Sequence, residues 1–301
     1  MQQTILSRRL RLLFILPAFV FVALFLLYPF FSIFQMSLTN QALVGASALN
    51  PEYVGLENYR SLFDFDTWTR RGEMGHSLLL TAQFVIGSAL IGQAILGLSI
   101  AVAFHNRKGW LRETVFTLAI AAWIIPDVVV AFAWFAFLDP DGTLNNMLSV
   151  VGLPQPDWLF DQPMISIIVF NTWRGTAFSM LLFSSALASI PPSYLETADV
   201  IGANAWQKFR DILLPLLTGY ILTDLILITL WTFNTFTPFL LTGGGPINQT
   251  NVIAIYTYKV GFQFGELGEG SAIAVVVMLI NLALASVYLF IARRRAIRDA
   301  A

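Results

Sequence analysis

The sequence predicts an all-α membrane protein of six transmembrane helices, read as a single domain over residues 1–301. Hydrophobic residues make up 57% of the chain and charged residues only 12%, about half the charged share of an ordinary soluble domain. The mean hydropathy of +0.72 agrees. The charge is also segregated: no Asp, Glu, Lys or Arg occurs from Leu12 to Pro51, from Ser77 to Asn106, or from Ser271 to Ala292. Each run exceeds the roughly 20 apolar residues that cross a bilayer as a helix. A soluble helical bundle would show a charged face at helical spacing, and these runs have none.

The first span is placed at 12–35. Arg8, Arg9 and Arg11 precede it in the manner of a signal peptide. The apolar stretch is longer than the roughly 7–15 residues of a signal core, however, and no small-residue cleavage site follows, so it is read as an uncleaved span. The second span, 77–104, is joined by a tight "HNRKGW" connection (105–110) to a third at 114–138, which contains Asp127. The fourth, 164–189, contains Arg174; the fifth, 217–241, contains Asp224; the sixth runs over 270–292. With both termini inside, the inner segments hold Arg8, Arg9, Arg11, Arg107, Lys108, Arg112, Lys208, Arg210, Arg293, Arg294, Arg295 and Arg298. The outer ones hold Arg60, Arg70, Arg71 and Lys259. The positive-inside rule therefore sets both termini in the cytoplasm of a multi-pass plasma-membrane protein.

The outer segments are long. Residues 54–68, "VGLENYRSLFDFDTW", predict a short helix at the membrane surface. Residues 139–163 are rich in turn formers, and "TGGGPINQT" (242–250) begins the third outer loop. Inside, the largest element is the loop 190–216. Pro191 and Pro192 stop the fourth span, and Ser193 with Glu196 fits a capping box. Gly202 permits a turn, and Trp206, Phe209, Ile212 and Leu213 follow at helical spacing before Pro215 opens the fifth span. Such a helix–turn–helix reads either as a connector tucked under the spans or as a lever docking in a groove of a soluble partner.

Glu196, Ala198, Gly202, Ile212, Leu214 and Pro215 have the spacing E-x-A-x(3)-G-x(9)-I-x-L-P. This resembles the "EAA" loop of permeases in binding-protein-dependent ABC importers, departing from the fuller pattern at Thr197 and Ile201. Together with "VGLENYRSLF" (54–63), "DPDGTLNNML" (139–148) and "LLTGGGP" (240–246), it resembles the carbohydrate-uptake branch, specifically the larger permease of maltose-type importers, from Val54 onward. The resemblance implies a type I importer architecture, in which the loop is a coupling helix inserted into an ATPase subunit. It also implies a heterodimer with a second related permease, two copies of the ATPase, which bind ATP and Mg, and an external solute-binding protein. Solute then crosses by alternating access.

A hydrophilic solute needs polar groups inside the bundle, where they are otherwise costly. Candidates are Gln93, Asp127, Asn171, Arg174, Asp224, Asn234 and Asn281, with aromatic faces from Trp123, Trp134, Trp173, Phe178 and Trp231. "NTWRGTAF" (171–178) and "LWTFNTF" (230–236) are similar to sugar-contacting segments of the maltose-type subunit. The resemblance thereby implies substrate contacts at Asn171, Arg174, Gly175, Phe178, Trp231 and Asn234. Trp231 stands where that family has an amide. The duller alternatives stay open: the two asparagines bond neighbouring helices, and Arg174 pairs with Asp127 or Asp224. An Arg174 facing the solute raises the case for an anionic sugar derivative, sulfonated or phosphorylated.

The remaining classes have little support. A net charge of −1 without a basic cluster away from the membrane flanks argues against nucleic acid, and there is no cysteine for disulfides or thiolate metal sites. His76 and His105 stand alone near span ends and are read as interface residues, so no metal is expected. No GxxxxGK[ST] loop is present, so no nucleotide cofactor is expected on this chain; Gly243–Gly245 resembles a phosphate cradle by composition only. No HExxH or GxSxG motif supports an enzyme, and six spans without a repeat argue against a secondary transporter. A polyol or glycerol-phosphate permease is the nearest alternative.

Overall fold

Long runs without water-facing polar groups form helices because only there does the backbone satisfy its own hydrogen bonds. The computed structural model describes residues 8–299 except 65, 67 and 71. Arg71, counted above among the outer cations, and Phe65 and Thr67 of the 54–68 segment lie outside the described residues. Apart from one isolated bridge between Thr39 and Tyr53, the regular elements among the described residues are helical. In chain order they are α1 (Leu12–Met36), α2 (Ala46–Leu49), α3 (Glu57–Leu62), α4 (Met74–Phe104), α5 (Trp110–Ile124), α6 (Asp127–Leu138) and α7 (Thr143–Val150). There follow α8 (Pro163–Ala188), α9 (Pro192–Val200), α10 (Ala205–Asn234), α11 (Thr237–Thr242), α12 (Ile253–Tyr258) and α13 (Leu267–Asp299). The spans expected at 12–35, 77–104, 164–189 and 270–292 are met by α1, α4, α8 and α13, the last running on past its expected end.

The other two spans depart from expectation, each at a proline. The third, expected to be continuous over 114–138, is broken: α5 and the helical stretch from Asp127 to Val150 meet at 109°. Pro126 lacks an N–H and forces Ile125 into an extended conformation (ψ 134°). Among the described residues, five unbroken helices are long and apolar enough to cross a membrane, and six if the bent pair is one span. The fifth, expected at 217–241, starts earlier and ends sooner. Pro215 does not interrupt α10, because a π-helical turn at Phe209–Leu213 precedes it and absorbs the missing bond. At Pro238 no such turn intervenes, so α10 ends at Asn234 and α11 begins anew with the proline in its first turn.

The chain forms two compact units, Met1–Phe65 with Thr257–Leu279, and Asp66–Tyr256 with Ile280–Ala301. In the first, α3 is the short helix expected from "VGLENYRSLF". Asn58 Nδ2 donates to the carbonyls of Ser37 and Thr39, both at 2.9 Å. The 37–43 segment is further tied by Leu43 N–H to Gly265 O (2.7 Å) and Gly268 N–H to Gln41 O (2.8 Å).

The second unit is organised on the α4–α8 pair, packed through small residues as membrane helices are. A Cβ on Gly97 would lie 2.5 Å from Ser179 Cβ and 2.8 Å from Met180 N. Gly87 and Gly92 meet Ile168 and Thr172 in the same way. Their five-residue spacing keeps both on one face because Val85–Gln93 is π-helical. One apolar cluster centres on Phe84, Ile167, Phe170 and Ile255, and another on Ala101, Phe183, Leu187, Leu213 and Leu217. The "DPDGTLNNML" segment is helical (α7), not all turn. Its buried Asn145 donates to the carbonyls of Pro140 and Pro156 and accepts from Trp158 Nε1 at 2.8 Å.

Candidate functional site

The break at Pro126 opens a cavity of about 350 Å³ inside the second unit, lined by Gln93, Trp123, Asp127, Asn171, Arg174, Gly175, Trp231, Thr232, Asn234 and Thr235. Asp127 enters it because it is the first residue of α6 after the break. Arg174 on α8 reaches across and pairs with Asp127 Oδ1, while Asp127 Oδ2 accepts from Thr237 Oγ1 of α11 at 2.9 Å. The carboxylate thus ties the broken span to both α8 and α11.

Of the two alternatives for Arg174, the structure selects the internal pair with Asp127. Asp224 is fully buried beside Ser179 and does not line the cavity. It does not join the site. The two asparagines are anchored on protein groups. Asn171 Nδ2 donates to Ser88 Oγ at 2.8 Å, and its backbone carbonyl accepts from Gln93 Nε2 at 3.2 Å. Asn234 and Asn281 exchange amide hydrogen bonds at 2.9 and 3.1 Å. Both asparagines nevertheless line the cavity, so a helix-bonding role and a cavity-facing position coexist.

Gly175 is required for space. A Cβ there would fall on the Gln93 side-chain amide, so the glycine lets Gln93 lie flat against α8. Phe178 does not line the cavity; it stands behind the wall, with ring centroids 5.1 Å from Trp231 and 6.0 Å from Trp123. Trp123 and Trp231 are themselves 6.5 Å apart and edge-on, leaving exposed indole faces at the cavity. Trp134 and Trp173 pack against each other (5.5 Å) and line a separate apolar pocket with Val129 and Phe137. Thr232 and Thr235 were missed from the sequence. Their signal is position: Thr232 lies on the last turn of α10 beside Trp231 and Asn234, and Thr235 is the extended residue that caps it.

In the 190–216 loop the expected capping box is absent. Pro191 is the N-cap of α9, Pro192 takes the first helical position, and no side chain caps the helix. A proline there is already set for helix and has no N–H to satisfy. The box that forms is past the elbow, at the start of α10, where Asn204 Oδ1 accepts from Gln207 N (2.9 Å) and Gln207 Oε1 accepts from Asn204 N (2.8 Å). Gly202 adopts φ +76°, closed by Ala203 N–H to Ala198 O at 2.9 Å. Lys208 pairs with Asp199 across the elbow.

Leu195, Phe209 and Leu213 pack on the ends of α4 and α8 through the Phe183–Leu187 cluster. Ala198 is buried, Ile212 and Leu214 are half-buried, and Glu196, Gly202 and Pro215 are exposed. Val200, Ile201 and Trp206 stand out at 87%, 77% and 66% exposure, an apolar tip on an anchored elbow. At the end of α4, partial burial holds the His105 imidazole below its usual value.

Residues 93–297 match the family described as binding-protein-dependent transport system inner membrane component. SmoG, the sulfoquinovosyl glycerol transport system permease protein of Agrobacterium fabrum, is 32% identical over 96% of this chain and 92% of its own length. MalF, the trehalose/maltose transport system permease protein of Thermococcus litoralis, is 30% identical over 95% of each chain. Among solved structures, a bacterial ABC transporter involved in the import of the acidic polysaccharide alginate superposes with a TM-score of 0.79. That match is at 24% identity and covers 95% of this chain and 96% of that one; it bears on the fold.

Proposed function

We propose a function from one fixed premise: the chain belongs to the family of binding-protein-dependent transport system inner membrane components. It is the permease subunit of an ABC importer for carbohydrate, a multi-pass inner-membrane transport protein. Relatives named for sulfoquinovosyl glycerol, for trehalose and maltose, and for starch degradation products support that solute class. The observation that carries it is the cavity at the broken span. Amides and a carboxylate there suit hydroxyl groups, and the Trp123 and Trp231 faces suit the C–H faces of a sugar ring. Asn171, Arg174 and Asn234 present polar groups to the solute, Trp231 an apolar face, and Gly175 and Phe178 shape the wall.

The finer assembly follows the same reading. A second related permease pairs with this chain, two ATPase copies bind ATP and Mg, and an external solute-binding protein delivers cargo. This chain binds no nucleotide, and both its termini face the cytoplasm. The 190–216 elbow enters the ATPase, with Glu196 exposed for a basic partner, Ala198 and Gly202 shaping the turn, and Ile212, Leu214 and Pro215 joining it to α10. The exposed Val200, Ile201 and Trp206 support a groove-docking role over a mere connector.

The test is reconstitution of the complete complex with labelled maltose-type disaccharides and glycosides. Uptake driven by ATP, lost in Glu196→Lys although the protein remains in the membrane, is expected. ATP-driven uptake of amino acids in place of glycosides, or full uptake by Glu196→Lys, would sink the cargo and coupling readings respectively.

A further inference from the structure

From the sequence, Arg174 is the lone cation in the spans and points to an anionic cargo. The structure reverses the sign of that argument. The Arg174 guanidinium is already paired with Asp127, and its Nε is buried with no acceptor. The two side chains are not equally presented: Arg174 is 18% exposed and Asp127 49%. A solute entering the cavity therefore meets the carboxylate before the guanidinium. Asp127 is also held from behind by Thr237 Oγ1 and by its place in the first turn of α6, where the helix dipole favours a negative charge. The other polar lining groups, on Gln93, Asn171 and Asn234, are uncharged.

We infer that Asp127 is the charge filter of this cavity: a built-in counter-ion that neutralises Arg174, so that the site takes uncharged glycans and repels anionic ones. An anion reaching Arg174 would have to sit beside the half-exposed Asp127 carboxylate, and like charges at contact distance repel. An uncharged sugar loses nothing; its hydroxyls donate to the exposed carboxylate oxygens. This rests on taking the cavity as the solute path of the carbohydrate permease proposed above.

The test uses the complete transporter in nanodiscs and calorimetric titration with two kinds of probe. The first is inorganic sulfate, which reports the filter whatever the cargo. Asp127→Asn keeps the side-chain shape and an acceptor for Thr237 but unmasks Arg174. It should gain sulfate affinity by about tenfold or more, equivalent to about 1.4 kcal/mol. Asp127→Glu, which keeps the charge, and Asp127→Asn/Arg174→Gln, which removes both, should bind sulfate no better than the wild type. An Asp127→Asn variant that gains nothing, or a double variant that gains as much, overturns the inference. The second probe is a matched pair, methyl glucoside and methyl glucuronide. Wild type should prefer the glucoside and Asp127→Asn should shift toward the glucuronide; a wild-type preference for the glucuronide overturns the filter. If the sulfate result holds while neither glycoside binds any form, the filter stands and the carbohydrate reading falls.

Discussion

The elbow at Gly202 allows a magnitude to be worked out with a single variable. Gly202 has φ +76°, and a Cβ built on it would meet nothing within 4 Å. Substitution there therefore costs backbone strain and nothing else. An L-residue in the left-handed region costs about 1–2 kcal/mol; asparagine, which tolerates that region, costs less, and a β-branched residue costs more. The strain falls on the turn closed by Ala203 N–H to Ala198 O, so Gly202→Ala should shift the elbow away from this geometry by a factor of about 5–30. Spin labels at Tyr194 and Trp206, both exposed and on opposite arms, would read the shift as a second distance population. Coupling, measured as solute imported per ATP hydrolysed by the reconstituted complex, should fall in the order Gly, Asn, Ala, Val. Because the Leu195–Phe209–Leu213 packing is untouched, global stability should stay close to wild type. A single sharp distance distribution in Gly202→Val, with undiminished coupling, would refute the reasoning.

Two further outcomes are expected. Gly97→Ala places a Cβ 2.8 Å from the Met180 backbone nitrogen, where no side-chain rotation gives relief. It should cost about 1–3 kcal/mol by overpacking, visible as a lowered unfolding midpoint in detergent and lower membrane yield, whereas Gly219→Ala, with open space around it, should be neutral. His105 has its pKa lowered from 6.5 by burial, so its neutral form is the one the fold favours. The stability it contributes is fully present above pH 6.5 and is lost as pH falls through the lowered folded value. Acidic thermal scans should show that loss in the wild type and a flatter profile in His105→Gln; parallel profiles would remove His105 from the account.

The fold was legible wherever solvent alone decided it. Four charge-free or nearly charge-free runs became α1, α4, α8 and α13 because an apolar run of that length has one low-energy arrangement in a bilayer. It became illegible where two local rules competed. Pro126 and Pro215 look alike in sequence, yet the first breaks a span by 109° and the second passes through a continuous helix. The difference lies in whether the preceding turn widens to a π-turn, as Phe209–Leu213 does before Pro215, with Phe209 and Leu213 packed on the Phe183 cluster. The same holds for caps. Ser193–Glu196 and Asn204–Gln207 both fit the box pattern, and Pro192 takes the first helical position of α9, leaving only the second to form. In the site, Asn171, Arg174, Gly175, Trp231 and Asn234, named from the sequence, line the cavity, and Phe178 does not. Charge pairing was the part that sequence left undecided, since Asp127 and Asp224 are both single acids in apolar spans. The fold decides it: Asp127, first in α6 after the break at Pro126, pairs with Arg174, while Asp224 on α10 is buried beside Ser179. The residue that decides the electrostatics of the cavity is thus placed there by a proline, and the chemistry of the site depends on where the helix fails.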